Sequence, residues 1–214
     1  MQRLRLTFSR GDELKYSSHL DLMRLWQRAL RRANIPLVYS QGFSPHPRLS
    51  LAAPLAVGVI SDGELMDIFL ERRVSPHFFL KTGREQLPRG IDLTEVVELG
   101  MGLPSLQSQV RFAEYRVIAE SDKKLKEVEA SILSLLSSDR LPWQHARDKE
   151  VRKYDLRTLV EDIWIIETHL SEFTIGMRLR CDSTGTGRPE QVLLALGFAN
   201  LPKSIHRTKL ILES

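Results

Sequence analysis

Polar and apolar residues alternate over residues 2 to 8, Gln-Arg-Leu-Arg-Leu-Thr-Phe, which predicts a half-buried strand. The pattern then changes period. Leu22, Leu25, Trp26, Ala29 and Ala33 recur at three- and four-residue spacing behind a Ser18/Asp21 capping box, so a helix is predicted from about 18 to 33. A short strand at 37–40, a loop punctuated by Gly and Pro at 41–47, and strands at 48–53 and 64–71 follow. Ser75-Pro76 opens a second helix, Pro being well tolerated at the first helical position, and residues 91–99 alternate as a further strand. The order is β-α-β-β-α-β. The rest of the chain repeats it, with a strand at 112–119, a helix at 122–137, strands at 162–169 and 172–180, a helix after Pro189 and a strand at 205–212. The expected fold is therefore α+β, two tandem ferredoxin-like βαββαβ units over residues 1–101 and 110–214, joined by a linker rich in Gly, Ser and Pro. Residues around 140–159 fit neither period and are expected to form an irregular insertion.

Composition leaves this picture intact. The 214 residues are 42% hydrophobic and 27% charged, as in folded globular proteins, and no apolar run reaches the roughly 18 to 20 residues of a membrane span. A cytoplasmic protein without membrane contact is expected. The single cysteine, Cys181, excludes an internal disulfide framework, a Cys-rich zinc site and a three-cysteine iron–sulfur motif. No cofactor or metal site is expected, because no metal-ligand spacing occurs.

Charge changes the picture more. The net charge is +4, yet residues 1–50 hold nine Lys/Arg against three Asp/Glu. A localised basic region suits an anionic partner such as a phosphate backbone. Arg24, Arg28, Arg31 and Arg32 fall on the helix face opposite Leu22, Trp26, Ala29 and Ala33. Such a row can follow a nucleic acid; the alternative is an ordinary solvated helix face. Lys15 and Arg48 would extend the row if they fold beside it. In the loop, Phe43 could stack a base while His46 and Arg48 meet phosphate, or Phe43 could plug the core. His19, in the first helical turn, could serve as a general base or be a satisfied, partly buried side chain. His46, for which no partner is visible in the sequence, is the other weak catalytic candidate. Cys181 reads as a packed, inert thiol, and the Gly185-Thr-Gly-Arg-Pro-Glu190 turn lacks the Lys-Ser/Thr of a phosphate loop.

Several blocks carry a family resemblance: Lys15-Tyr-Ser-Ser-His-Leu-Asp-Leu-Met-Arg24, Arg28-Ala-Leu-Arg-Arg-Ala33, Tyr39-Ser-Gln-Gly-Phe-Ser-Pro-His-Pro-Arg48, Pro54-Leu-Ala-Val-Gly58 with Glu64, Tyr154-Asp-Leu-Arg157 and Arg188-Pro-Glu190. Together they resemble the bacterial radical-SAM-linked domain family of uncharacterised function. The resemblance implies a domain fused to, or encoded beside, a radical SAM protein, often near a ribonuclease E/G gene. Lacking a cysteine triad, this chain would be the stand-alone form. The expected architecture also looks distantly like the CRISPR repeat-processing endoribonucleases, which supports RNA binding more than cleavage.

The leading expectation is a non-catalytic accessory protein that binds RNA or presents substrate to a separate radical SAM enzyme. A metal-independent endoribonuclease using His19 or His46 is one alternative. An adaptor that contacts only protein is the other.

Overall fold

The computed structural model describes residues 1–147 and 150–213. The fold is mixed α/β, divided into two compact units, Met1–Val110 together with Glu213, and Arg111–Leu212.

The first unit contains β1 (Gln2–Arg10), α1 (His19–Arg32), β2 (Leu49–Leu51), β3 (Ile60–Leu70), α2 (Pro76–Gln86), β4 (Ile91–Leu99) and the single turn α3 (Leu106–Gln109). β1 is antiparallel to both β3 and β4, and β3 is antiparallel to β2, giving the order β4-β1-β3-β2. Register explains which side chains meet. Leu4 faces Ile68 and Leu6 faces Met66, and these alternate positions pack with Leu22, Trp26 and Leu30 of α1 and Phe79 of α2 in one core. Phe8 meets Trp26 edge-on with centroids 4.9 Å apart.

Arg3, Arg5 and Asp67 occupy the opposite face of the same strands. The Asp67 carboxylate accepts two bonds from Arg3 and two from Arg5, and Arg3 also donates to the carbonyls of Leu103 and Pro104. Segment 103–109 thereby covers the second face, so Arg3 and Asp67 are almost wholly buried.

The second unit contains β5 (Val110–Glu120), α4 (Leu125–Ser137), β6 (Pro142–Arg147), β7 (Glu150–Asp155), β8 (Val160–His169), β9 (Glu172–Asp182), β10 (Gly185–Thr186), α5 (Pro189–Ala195) and β11 (Ser204–Leu212). β9 lies between β5 and β8, antiparallel to both, and β11 neighbours β5. Val117 faces Ile175 and Tyr115 faces Met177 across the central pair, and these residues are buried along with Val128 and Ile132 of α4 and Val192 and Leu193 of α5. Cys181 is buried, in keeping with a packed thiol.

Three local expectations need correction. Residues 37–40 form no strand: the chain makes only isolated bridges, Leu37 with Leu70 and Tyr39 with Pro47. The helix expected from 122 begins at Leu125, where the Glu127 carboxylate accepts the Lys124 N–H. The insertion around 140–159 is not irregular but holds an antiparallel ribbon, β6 with β7, closed at its base by Leu141 N–H on the Asp155 carboxylate. None of the described helices is long and apolar enough to cross a membrane.

Candidate nucleic-acid interface

α1 is fixed before it can present anything. Ser18 and Asp21 exchange the two bonds of a capping box, and the bonds that the Ser18 hydroxyl and then its N–H donate to the Asp21 carboxylate hold that group below the usual carboxylate range. Upstream, the buried Arg10 guanidinium donates to the carbonyls of Leu14, Lys15 and Ser17, tying residues 14–17 to the end of β1. The apolar stripe of the helix is locked into the core. Its other face is therefore held rigidly toward solvent.

Arg24, Arg28, Arg31 and Arg32 are all exposed on that face. Their partners differ. Arg24 lies 3.9 Å from Asp21, and Arg32 donates to the carbonyl of Gln86 at the end of α2. Arg28 and Arg31 have no side-chain hydrogen bond or ion pair among the described residues. Two guanidiniums are thus fully available, and two are engaged through weak or single contacts.

The remaining sequence candidates do not join this row. Lys15 forms an ion pair with Asp12 at 3.0 Å, and that hydrogen bond, together with the Asp12 charge, raises its pKa. The Arg48 guanidinium stacks 4.3 Å above the Phe69 ring, which Arg3 also contacts. Since Met66, Ile68 and Leu70 face α1, strand alternation directs Phe69 away from it, and Arg48 lies on the far side of the sheet. The expectation that Arg48 extends the α1 surface is corrected on this point.

The loop is a closed structure. Ser40 N–H donates to the His46 carbonyl, His46 N–H donates to Ser40 Oγ, and His46 Nδ1 lies 3.2 Å from both Ser40 Oγ and the Ser44 carbonyl. His46 is thus partnered, contrary to the sequence reading, and acts as the latch of a tip spanning 41–45. Gly42, at φ +128°, supplies a backbone conformation that other residues rarely adopt. Phe43 at this tip is fully exposed, which overturns the core-plug alternative.

His19 is exposed as well, not partly buried. The two candidate histidines do not converge. Val38 N–H bonds to Phe69, opposite Arg3, and Phe69 N–H bonds to Arg48, placing the His46 loop at that end of β1. His19 follows Ser17, whose carbonyl is held by Arg10 at the other end. Seven residue-to-residue steps along β1 separate these anchors, about 23 Å at the usual rise. An acid and a base that share one phosphate must each lie within hydrogen-bond reach of it. Among the described residues no group of three or more His, Cys, Asp or Glu could hold a metal ion.

Sequence reasoning missed two features. Tyr16, Leu20 and Val57 are large, exposed apolar side chains from segments joined by the Gly58 N–H to Lys15 carbonyl bond of 2.7 Å. That bond brings together two of the blocks carrying the family resemblance. In the second unit Trp143 faces Tyr154 across the β6–β7 ribbon. Burial pushes the Tyr154 phenol up, and the nearby Arg188 charge opposes that rise. Tyr154 and Arg188 stand in two further resemblance blocks, the signal that could have linked them.

Fold and surface together define a mixed α/β protein of two units whose first unit presents a capped, arginine-faced helix. The sequence profile of the family described as "Uncharacterized protein conserved in bacteria" (DUF2344) matches residues 3–189, and the chain belongs to that family. No curated protein matches the sequence significantly. Among solved structures, the fold is similar to a chain of a Cbf5-Nop10-Gar1 complex, at TM-score 0.54 and 11% identity over 97% of this chain and 48% of that one. It is also similar to a chain of the archaeal box H/ACA sRNP Nop10-Cbf5 complex, at TM-score 0.50 and 11% identity over 95% of this chain and 46% of that one. This chain spans just under half the length of those relatives.

Proposed function

We propose that this protein is an RNA-binding or substrate-presenting accessory factor for a separate radical SAM enzyme, its RNA surface being the outer face of α1. The observation that carries the reading is the pair Arg28 and Arg31, unpartnered and solvent-facing on a helix whose other face is locked in the core. Phosphate groups suit such planar, fixed donors. Two further points support it. One of the chains of similar fold belongs to an assembly described as an sRNP. The strand orders β4-β1-β3-β2 and β11-β5-β9-β8 each insert one strand between a parallel-crossover pair, as tandem ferredoxin-like βαββαβ units would. The radical SAM partner rests on the resemblance of the sequence blocks alone. The endoribonuclease alternative draws no support from His19 and His46, which stand at opposite ends of β1.

Fluorescence anisotropy with labelled cellular RNA at low salt tests the proposal. Wild-type protein binds, and Arg28→Glu with Arg31→Glu binds at least tenfold more weakly while unfolding at the same temperature. Undetectable wild-type binding would remove the RNA function. The exposed group Tyr16, Leu20 and Val57 would then favour a protein-contacting adaptor, checked by loss of radical SAM protein co-purification in Leu20→Asp and Val57→Asp.

A further inference from the structure

The β6–β7 ribbon carries an aromatic and cationic site that the α1 surface does not use. Trp143 and Tyr154 are a directly opposed cross-strand pair and share one face of the ribbon, while Gln144 and Lys153 form the next pair. These four residues and Pro142 line a cavity of about 410 Å³, within the range of small-molecule sites. Trp143 and Tyr154 are only half-buried. A ribbon two strands wide cannot enclose its own aromatics, so their faces stay partly open.

One positive charge, on Arg188, stands beside them, while that of Lys153, next to Tyr154 on the strand, belongs to the other face of the ribbon. Lys153 and Arg188 are exposed, and neither side chain has an ion pair or hydrogen bond among the described residues. Arg188 is near enough to Tyr154 for its charge to act on the phenol. Its place is fixed, because it precedes the buried Pro189 at the start of α5, and its backbone carbonyl accepts from Gln191 and Val192. The ribbon is equally anchored at its root: the Asp155 carboxylate accepts from Leu141 and Arg157, and Arg157 donates to the carbonyls of Leu136 and Val160. Open aromatic faces, a free cation and a braced backbone are what single-stranded nucleic acid requires: a base stacks while its phosphate meets the cation.

We propose that Trp143, Tyr154 and Arg188 form a base-stacking subsite for single-stranded RNA in the second unit. The proposal rests on the RNA-binding function and adds to it a site that reads unpaired bases rather than backbone charge. A bland role as a hairpin-stabilising pair would need only Trp143 and Tyr154 and would leave Arg188 without consequence.

The test uses the full chain and a fluorescein-labelled single-stranded oligouridylate of about ten nucleotides, a length typical of such sites. Trp143→Ala and Arg188→Glu each weaken binding by about tenfold, Trp143→Phe retains most of it, and the quenching of tryptophan emission by unlabelled oligouridylate falls in Trp143→Phe. Arg188→Glu leaves the aromatic pair in place, so its effect cannot come from a disrupted ribbon. If Arg28→Glu with Arg31→Glu abolishes binding while Trp143→Ala and Arg188→Glu bind as wild type, the subsite is refuted and the α1 function stands. If the ribbon variants keep RNA affinity but lose co-purification of a polypeptide, the ribbon is a protein-docking element and the proposal is overturned.

Discussion

The buried carboxylate of Asp67 balances two guanidiniums at once. With Arg3 donating to its Oδ2 at 2.9 and 2.5 Å and Arg5 to its Oδ1 at 2.8 Å, removing it strands two cations on a covered face. Asp67→Ala is expected to cost about 3–5 kcal/mol, read as a shifted urea midpoint, whereas Phe43→Ala at the exposed tip stays within about 0.5 kcal/mol. None of this was legible in residues 2 to 8. Alternation marks Arg3 and Arg5 as the polar face, which it is, but does not distinguish a solvated polar face from a covered one. The covering groups are backbone carbonyls of Leu103 and Pro104, about a hundred positions away, and a carbonyl leaves no residue-type signature. The capping box, by contrast, was fully legible, because its two residues are three apart and meet through local geometry. Its titration follows from sign alone. Asp21 is depressed below 3.8 by accepting from Ser18, so its stabilisation is complete above that value and disappears as pH falls through the lowered folded value. First-turn amide protection in α1 should therefore drop in that acid window, and Ser18→Ala should weaken the dependence, leaving only the part that the backbone N–H of residue 18 supplies.

At the scale of elements, periodicity located the strands and helices of both units because each packs one face on a core. It failed where no such face exists. The β6–β7 ribbon is two strands wide, so neither an alternating nor a helical pattern is imposed on residues 142–155. The β8–β9 hairpin holds a different surprise. His169 pairs with Glu172, leaving a two-residue turn whose first position, Leu170, has φ +55° and is almost fully exposed. A leucine there gains no packing and bears the left-handed cost, about 1 kcal/mol. Leu170→Gly, matching the residue that such turns favour, is expected to raise the melting temperature by a few degrees. The neighbouring pair Trp164 and Gly176 makes the opposite point. A Cβ at 176 would lie 2.1 Å from the Trp164 ring, so Gly176→Ala must expel the indole. It should destabilise by about 1–3 kcal/mol, and much less in a Trp164→Ala background.

For the molecule as a whole, a net charge of +4 says little, because what matters is which of the basic side chains are uncommitted. Sequence counts them equally: Lys15, Arg24, Arg28, Arg31, Arg32 and Arg48 all read as candidates. Structure ranks them. Lys15 is neutralised by Asp12, Arg48 stacks on Phe69 across the sheet from α1, and Arg32 serves the end of α2. Asp12 lies three positions from Lys15 and is within reach of charge patterning, but Gln86 and Phe69 lie far from Arg32 and Arg48 in the sequence, so patterning could not separate those two from Arg28 and Arg31. The ranking yields a quantitative expectation. Each phosphate contact to single-stranded RNA contributes about 0.7 to the slope of log affinity against log salt. On the proposed RNA surface, Arg28→Gln and Arg31→Gln should each reduce that slope by about 0.7, and additively, because each guanidinium would meet its own phosphate. Arg48→Gln and Lys15→Gln should leave it unchanged, even though all four variants lose the same unit charge. Equal slope reductions in all four would mean that RNA senses the overall charge of the first fifty residues and no defined surface on α1.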